Sequence, residues 1–309
     1  MNFMFDLLVI GEINPDLILR GTDVTPAFGQ AERLIDEASL TVGSSSVIMA
    51  CGAAKLGLSV AFCGLVGDDM FGRFMLDAMA ASGIDTAACV VDPALPTGIS
   101  VILAQPSGDR AILTCPGTMA ALNMQHIDRS LLERARHLHV GSYYLLDTLR
   151  PDLPELFRDA QRAGLTTSLD TNYDPAGRWE VGEMLAHCDV LLPNAAEAVA
   201  ISGTADVPAA IDALSRRVPT LAVKLGSEGA VARQGHVEIR ERPLVVNVVD
   251  TVGAGDSFDA GFLCGYLKGW PLEQALRLGL VCGSLSTTAA GGTAAQPALE
   301  EALDASASL

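Results

Sequence analysis

The stretch from residue 250 to residue 262 reads Asp-Thr-Val-Gly-Ala-Gly-Asp-Ser-Phe-Asp-Ala-Gly-Phe. The β-branched run at residues 245–249 predicts a strand before it, and apolar residues at 258, 262, 263, 266 and 267 follow at helical spacing. The pattern therefore predicts a strand, a glycine-rich turn and a helix. Glycines at 253 and 255 let successive backbone N–H groups converge at the helix N-terminus, where the helix dipole also attracts an anion.

Three interpretations of this turn compete. A dinucleotide-binding turn needs the pattern G-x-G-x-x-G, but Phe258 stands at the third glycine position and Asp256 would direct a carboxylate at the pyrophosphate. A Walker-type phosphate loop ends in Gly-Lys-Ser/Thr, which this stretch lacks. In the third interpretation, Asp256 takes a proton from an alcohol while the backbone amides hold the transferred phosphoryl group. A plain helix cap also explains Asp256, but it leaves both glycines and the preceding Asp250 and Thr251 unexplained.

The composition of the chain restricts the class of protein. Of its 309 residues, 50% are hydrophobic and 18% are charged, which excludes a disordered chain. The 37 Asp and Glu residues outnumber the 20 Lys and Arg residues, and the formal net charge is -17. Because such a surface repels phosphate backbones and anionic lipids, we expect no nucleic acid partner and no membrane partner.

Targeting signals and metal motifs are also missing from the sequence. No stretch reaches the roughly 18 apolar residues of a membrane helix, and the N-terminus lacks the basic region of a signal peptide. The seven cysteines are scattered without a C-x-x-C pair, which predicts reduced thiols, a cytoplasmic location and no zinc site. His137 and His139 share one face of a predicted strand without a third ligand, so we predict that they are packing or surface residues.

Strand and helix patterns alternate along the chain. Apolar runs predict strands at 7–11, 59–63, 137–141, 166–169, 189–192 and 220–225, with helices at 46–56, 70–82, 151–163 and from about 194. These repeats indicate an α/β fold with a mainly parallel central sheet and helices on both of its faces. Segments 17–42 and 98–114, with a turn at 106–109, predict a small second sheet. We expect a single domain over residues 1–309, with a β-sheet lid inserted from about 12–42 and 98–116.

The stretch 250–262 resembles the second signature of the ribokinase-like carbohydrate kinases, the phosphofructokinase-B family. The resemblance implies an anion hole formed by the amides of Gly253, Ala254 and Gly255, with Asp256 as the general base that activates a sugar hydroxyl. It also implies ATP and Mg²⁺ as cofactors. A K⁺ ion is expected beside the anion hole, held by Asp250 and by a second loop near residues 291–292.

Further matches to the family extend along nearly the whole chain. Residues 11–16, 42–57 and 66–72 resemble its first strand and first signature, 194–197 resembles its N-x-x-E motif, and 224–229 resembles the loop that passes the nucleotide. The resemblance implies that Glu197 organises water around Mg²⁺. The implied nucleotide-binding residues are Asn194, Lys224, Gly226, Ser227 and Gly229. The substrate-binding residues that we predict are Asp16, Gly43, Ser44, Ile48, Arg110, Tyr143 and Asn172.

Two of these assignments have a plainer interpretation from the residues alone. Asp16 follows a buried strand and is equally consistent with a turn. Asn194 and Glu197 are also the residues of a helix-capping arrangement.

The sequence departs from the family pattern in two places. The first signature begins with Gly43 and Ser44 in place of two glycines, and Ile48 stands where an asparagine normally bonds sugar hydroxyls. Leu280 stands where an asparagine often lies near the adenine. These changes leave Asp256 and the anion hole intact but leave the identity of the substrate open.

The resemblance implies ATP-dependent phosphorylation of a hydroxymethyl group of a small sugar or sugar acid. The exposed strand edges of the predicted lid also offer a contact for a homodimer. A nucleoside kinase of the same fold is the alternative, because Ile48 makes the pocket more apolar. A non-catalytic sugar-binding or regulatory protein is a third hypothesis, against which the intact Gly253, Gly255 and Asp256 argue.

Overall fold

The computed structural model describes residues 3–29, 31–105 and 109–307. In chain order the strands are β1 (Leu7–Ile10), β2 (Pro15–Arg20), β3 (Glu37–Val42), β4 (Val60–Cys63), β5 (Leu65–Gly67), β6 (Val90–Asp92), β7 (Ile99–Ala104), β8 (Arg110–Cys115), β9 (His137–Val140), β10 (Thr166–Leu169), β11 (Val190–Leu191), β12 (Thr220–Lys224), β13 (Ala230–Gln234) and β14 (Val237–Glu241). The α-helices are α1 (Ser45–Lys55), α2 (Met70–Ala81), α3 (Thr118–Ala121), α4 (Leu153–Ala163), α5 (Ala195–Ser202), α6 (Val207–Leu214), α7 (Ala254–Leu267), α8 (Leu272–Ser286) and α9 (Leu299–Ser306).

Within the described ranges, the larger sheet has eight strands in the order β14-β13-β12-β11-β10-β9-β1-β4. The six strands from β12 to β4 are parallel, and β13 and β14 extend one edge in antiparallel fashion. Leu7 and Val9 of β1 belong to the core on one face, while Leu8 and Ile10 belong to the core on the other. Such burial on both faces is typical of parallel strands covered by helices. The predicted α/β class is confirmed.

Each face of the sheet has its own helical layer. Helices α4, α5 and α6 pack on one face, and α1, α7 and α8 pack on the other. Helices α7 and α8 approach each other closely at glycines. A Cβ at Gly265 would lie 2.7 Å from Cα of Ala275, and a Cβ at Gly261 would lie 2.7 Å from the carbonyl oxygen of Leu278. This close packing fixes the direction of α7, which begins at the glycine-rich turn.

Segments 12–42 and 98–116 contribute a second sheet, which we call the lid sheet. For the part of the chain that is described, its order is β3-β2-β7-β8. Strand β2 pairs antiparallel with β3 and parallel with β7, and β8 is added antiparallel. The predicted small second sheet is thereby confirmed. Residues 106–108 of the predicted turn lie outside the described residues.

Residues 245–249 do not form the strand that their β-branched run predicts. The side chains of Val245, Val248 and Val249 are 95%, 57% and 59% exposed. The amides of Val249 and Asp250 donate hydrogen bonds to the carbonyl of Thr287 at the end of α8, over 2.8 and 3.1 Å. This segment connects β14 to α7 without a sheet surface to pack on, and β-branched residues favour strands only where such packing exists.

Exchange of valine for threonine distinguishes a loop from a strand at this segment. Val245→Thr should leave the free energy of unfolding within about 0.5 kcal/mol of the parent value, because the side chain is already in water. The same exchange at Val223, which is fully buried in β12, should cost about 1–3 kcal/mol because it buries a hydroxyl. Urea denaturation followed by circular dichroism measures both values. Equal losses in the two variants would place residues 245–249 in the sheet.

Candidate active site

The loops that follow the parallel strands converge at one edge of the large sheet, where ligands of open α/β sheets bind. Between this edge and the lid sheet lies a cleft of about 1550 Å³. Residues of both elements line it, Ser100, Arg110 and Thr114 from the lid side and Asp170 and Lys224 from the sheet edge. The volume exceeds the roughly 300–1,000 Å³ of a typical small-molecule site, so the cleft has room for two ligands.

The glycine-rich turn and the N-terminus of α7 form one wall of this cleft. Gly253 has a φ of +73°, and a Cβ there would lie 2.7 Å from Cα of Gly292, so both backbone conformation and space require glycine. Among the described residues, no side chain caps α7 with a hydrogen bond. The amides of Gly253, Ala254, Gly255 and Asp256 therefore border the cleft at a helix N-terminus, an arrangement that suits an anion.

Asp256 lies in the first turn of α7 and lines the cleft. Burial raises the pKa of its carboxyl to about 7, and the nearby Asp170 acts in the same direction while Lys224 opposes it. A carboxyl group with a pKa near neutrality has the proton affinity that a general base needs.

Lys224 joins three elements through a buried ion cluster. Its Nζ lies 2.8 Å from Oδ2 of Asp170, which follows β10, and 3.0 Å from Oδ2 of Asp259 on α7. Burial opposes the charge on Lys224, but the two carboxyls raise its pKa. Burial also raises the pKa of Asp259, whereas Lys224 lowers that of Asp170 against the effect of burial. The pKa values of the two carboxyls thus shift in opposite directions, so Asp170 is the more acidic partner of Lys224.

The role of Asp259 was not predicted from the sequence, although it belongs to the quoted stretch 250–262. The lysine was predicted for nucleotide binding, and its Nζ is here engaged by two carboxyls. A Cβ at Gly255 would lie 3.6 Å from this Nζ, so the ammonium group also lies beside the glycine-rich turn.

Asn194 and Glu197 lie at the start of α5 and line the cleft. The amide of Asn194 donates to Oε2 of Glu197 over 2.8 Å, and the amide of Glu197 donates to Oδ1 of Asn194 over 3.0 Å. This is a capping box, so the structural interpretation of the pair is correct, and it still leaves both side chains at the cleft. Burial raises the pKa of Glu197 to about 7, and Asp170 contributes to the rise.

The predicted nucleotide loop 224–229 reaches the cleft only in part. Gly226 lines the cleft. Ser227 is exposed outside the described cleft lining, and Gly229, with a φ of +94°, packs on the β14 end, where a Cβ would lie 2.0 Å from the carbonyl oxygen of Glu241. The predicted contacts of Ser227 and Gly229 with the nucleotide are therefore not supported by their positions. Gly229 shapes the loop.

The carboxyl groups at the cleft fit a magnesium ion that binds together with the phosphate groups of a nucleotide. In the ranges that the structure describes, no group of three or more His, Cys, Asp or Glu residues could hold a metal ion alone. Mg²⁺ is usually held by one or two carboxylates together with substrate phosphates. Glu197 and Asp170 place carboxyl groups at the cleft, close enough to influence each other's charge.

Asp16 lies on β2 at the opposite part of the cleft and is 7% exposed. Burial raises the pKa of its carboxyl to about 7, although Arg110 lowers it. Gly43 is outside the described cleft lining, but a Cβ there would lie 2.3 Å from Oδ1 of Asp16. Gly43 therefore provides the space that Asp16 occupies. Nδ2 of Asn14 lies 3.5 Å from the same Oδ1 and adds a donor to this corner.

Ser44 lines the cleft, but its hydroxyl is engaged in the protein. It caps α1 by accepting from the amide of Val47, and it donates to Glu12, 3.0 Å from Oε1 and 2.7 Å from the backbone carbonyl. Glu12 also accepts from the hydroxyls of Ser46 at 2.7 Å and Ser142 at 2.8 Å. The sequence analysis did not assign a role to Glu12. Its position as an acidic residue directly after a buried strand and Gly11 is the sequence feature that could have indicated one.

Tyr143 and its neighbour Tyr144 differ in their relation to the cleft. Tyr143 is buried with its ring 5.9 Å from the Arg150 guanidinium and is not among the residues that line the cleft, so its substrate contact stays a prediction. Tyr144 lines the cleft, and its hydroxyl has no hydrogen-bond partner among the described residues. Arg110 and Asn172 both line the cleft, a position consistent with their predicted substrate-binding roles. Nδ2 of Asn172 lies 3.4 Å from the Ser142 hydroxyl.

The two departures from the family pattern occupy different environments. Ile48 lines the cleft, and a Cβ at Gly253 or Gly292 would lie 3.0 Å from its Cγ2 or 2.5 Å from its Cδ1. Its side chain therefore packs against the glycine-rich turn. Leu280 lies on α8 and is 5% exposed in the core, and it is not among the described residues that line the cleft.

Asp250 lies just before the turn, and it is not among the described residues that line the cleft. Its carboxylate accepts from Arg20 Nη2 at 2.8 Å, from the Gly291 amide at 3.1 Å and from the Val252 amide at 3.0 Å. The loop at 291–292 is thus beside Asp250, as expected, but a guanidinium group is also present.

His137 and His139 have the packing roles that were predicted. Both are buried, and both rings lie 2.7 Å from the hydroxyl of Ser168. Burial lowers their pKa values to about 3 and about 4, so both imidazoles are neutral at physiological pH.

The family model described as pfkB family carbohydrate kinase matches residues 4–299, and the chain belongs to this family. The chain is therefore a carbohydrate kinase. It is 31% identical over 296 residues to an ATP-dependent ribose-1-phosphate kinase of Halopiger xanaduensis, with 96% of each chain covered.

Solved structures show the same fold. The adenosine kinase from Sinorhizobium meliloti matches with a TM-score of 0.86 and 25% identity, covering 99% of this chain and 100% of that chain. The Arabidopsis thaliana ribokinase complexed with ribose and ATP matches with a TM-score of 0.87 and 23% identity over 98% of both chains. Among the described helices of the present chain, none has the length and apolar character needed to cross a membrane.

Asparagine substitutions test the charges in the lysine cluster. Asp259→Asn keeps Asp170 beside Lys224 and should change the free energy of unfolding by less than about 1 kcal/mol, because burial raises the pKa of Asp259 and disfavours its charged form. Asp170→Asn removes the carboxyl whose charged form Lys224 stabilises and should cost about 3–5 kcal/mol. Urea denaturation at neutral pH compares these matched variants. A larger loss for Asp259→Asn than for Asp170→Asn would show that Asp259 is the main anionic partner of Lys224.

Proposed function

We propose that this carbohydrate kinase transfers a phosphoryl group from ATP to a hydroxymethyl group of a small sugar or sugar acid, with Asp256 as the general base. One observation carries the proposal. A carboxyl group with a pKa raised to about 7 stands in the first turn of a helix whose N-terminus lacks a side-chain cap and borders the cleft. The combination supplies a proton acceptor and an anion-binding site at the same point.

Asp256 accepts the proton of the acceptor hydroxyl as the hydroxyl oxygen attacks the γ-phosphorus of ATP. The bond between this phosphorus and the β,γ-bridging oxygen breaks, and ADP leaves with the bonding electron pair. The amides of Gly253, Ala254 and Gly255 donate to the phosphoryl oxygens, whose negative charge grows in the transition state. Mg²⁺ supplies further neutralisation of the phosphates when bound, near Glu197. Lys224 holds α7 and Asp170 in place, because both of its carboxyl partners are buried.

The nucleotide is proposed to lie on the side of the cleft formed by Asn194, Lys224 and Gly226. Ser227 and Gly229 contribute only the shape of their loop. The use of ATP is supported by the relative that is 31% identical over nearly the whole chain and is named for ATP-dependent activity.

The acceptor is proposed to lie between Asp16 and Asp256, under the lid sheet. Asp16 accepts hydrogen bonds from its hydroxyls, while Asn172 and Arg110 supply donors that Ile48 cannot. The named substrate of the relative from Halopiger xanaduensis is a sugar phosphate, which supports a sugar with an anionic group. A nucleoside remains the second candidate, supported by the apolar Ile48 and by the structural match to an adenosine kinase.

The chain is proposed to act as one domain whose lid sheet excludes water from the cleft. That exclusion would limit ATP hydrolysis when the acceptor is bound. The edge strand β8 is exposed along its length, with Ile112 and Leu113 52% and 60% exposed. An exposed apolar edge strand supports a homodimer formed through the lid.

Asp256→Asn should lower kcat by at least about 100-fold, because the amide cannot accept the hydroxyl proton. ADP release with MgATP measures this across sugars, sugar acids, sugar phosphates and nucleosides. Asp16→Asn is the matched control on the acceptor side, and it should raise KM more than it lowers kcat. The rate of the Asp256 variant would contradict the proposal if it stayed near that of the parent. Release of ADP with nucleosides alone would favour the second candidate.

The pH dependence of kcat follows from the same carboxyl group. The base must be ionised, so kcat should fall by about tenfold per unit below the pKa of about 7 and level off above it. Asp16→Asn should keep this dependence in kcat at saturating acceptor, whereas Asp256→Asn should abolish it.

The same pKa shift has a consequence for stability. The folded protein binds the Asp256 proton more tightly than the unfolded chain, so the parent loses stability as pH rises from 3.8 to about 7. The melting temperature of Asp256→Asn relative to the parent should therefore increase over this range. A rate profile without an acidic limb, together with an unchanged difference in melting temperature, would contradict the assignment of the raised pKa to Asp256.

A further inference from the structure

Arg20, at the end of β2 in the lid sheet, forms an ion pair with Asp250 just before the glycine-rich turn. Its Nη2 lies 2.8 Å from Oδ2 of Asp250, and the two side chains are 25% and 13% exposed. Nη1 of Arg20 lies 3.5 Å from the hydroxyl of Ser39 on the neighbouring strand β3. The guanidinium is thus held from the lid side and directed at the carboxylate.

The surroundings of Asp250 do not fit the K⁺ ion that the family resemblance implies. A potassium ion needs oxygen atoms with free lone pairs. Besides the guanidinium, the amides of Gly291 and Val252 also donate to this carboxylate, over 3.1 and 3.0 Å. Three donors take up most of its lone pairs, and a metal ion would lie beside a full positive charge and two N–H dipoles of the same sign.

We propose that Arg20 is the built-in cation of this kinase, so that phosphoryl transfer does not require a monovalent metal ion. The inference rests on the proposed function, because it concerns the anion hole assigned there. Asp250 bonds both to the 291–292 loop and to the turn, and Gly292 packs directly against Gly253. A cation at Asp250 neutralises the carboxylate that holds these two loops together. Arg20 is therefore a positioning residue that acts on the anion hole through Asp250.

The location of Arg20 adds a second consequence. Strand β2 carries both Arg20 and Asp16, the residue proposed to bind the acceptor. The ion pair therefore joins the acceptor-binding strand to the turn that holds the phosphoryl group. A metal ion exchanges freely with solvent and belongs to neither element. Arg20 is part of β2, so its ion pair with Asp250 joins β2 directly to the turn.

The experiment measures kcat in chloride salts of potassium, sodium and choline, at a constant ionic strength of about 0.1 M. The parent should show rates within about twofold in all three salts. Arg20→Met should lose about tenfold to 100-fold in choline, since small misplacements of positioning groups cost up to about 100-fold. Potassium should restore part of this loss, because the vacated carboxylate can then bind the ion. Arg20→Lys, which retains the charge, should recover much of the rate in choline.

Arg33→Met is the matched control. Arg33 also pairs with an aspartate, Asp23, in the lid region, but both side chains are about half exposed and neither contacts Asp250. This variant should behave like the parent in every salt. Activation of the parent by potassium of about tenfold or more would overturn the proposal. So would an Arg20→Met rate in choline equal to that of the parent, or a folded Arg20→Lys variant without recovery.

Melting temperatures provide a readout that does not depend on activity. Exchange of choline for potassium should raise the melting temperature of Arg20→Met and leave that of the parent unchanged, because binding to the folded state alone stabilises it. The opposite pattern would overturn the proposal. If the parent releases no ADP with any acceptor, the proposed function fails, and this measurement still decides whether Arg20 occupies the cation position.

Discussion

The geometry of the cleft depends on the buried ammonium group of Lys224. This residue ends β12, Asp170 follows β10, and Asp259 lies one turn beyond the start of α7. Burial of a charge is unfavourable unless it is paired, so the folded state is stabilised when the carboxyls meet the Lys224 ammonium. Their meeting fixes the N-terminus of α7 over the carboxyl edge of the sheet. The ion cluster therefore contributes, together with the packing of α7 on α8, to the direction of the amides that are proposed to bind the phosphoryl group.

Carboxyl groups at the cleft differ in their hydrogen-bond donors, and the differences separate their roles. Glu12 accepts from three serine hydroxyls and is occupied in holding loops together. Asp170 pairs with Lys224, which lowers its pKa against the effect of burial. Asp256 is buried beside Asp170, and burial raises its pKa to about 7. In a chain with a net charge of -17, the amides at the start of α7 provide a local field that suits the proposed phosphate site.

The sequence was sufficient for the parts of the structure that depend on local pattern. Buried parallel strands and capped helices give apolar runs and capping residues, so β10 and the Asn194 cap of α5 were predicted at their positions. Residues 245–249 have the composition of a strand but lack a neighbour in the sheet, and pairing is a property of the whole fold. Tyr143 and Tyr144 differ by one residue in a 3-10 turn, Tyr143–Leu145. The Tyr143 ring packs near the Arg150 guanidinium whereas Tyr144 lines the cleft, a difference that hydrophobic periodicity does not indicate.

Ionic partners across long sequence separations explain the remaining differences. Lys224 and Asp259 are 35 residues apart, and Arg20 and Asp250 are 230 residues apart. Neither pair has a local signal. The replacement of asparagine by Ile48 likewise gains meaning only in three dimensions, where its side chain packs on Gly253 and Gly292. An apolar group there supports the turn from within but offers no hydrogen bond to an acceptor. In the proposed site, polar recognition of the acceptor then falls to β2, the rest of the lid sheet and the loop after β10, which would couple acceptor specificity to lid position.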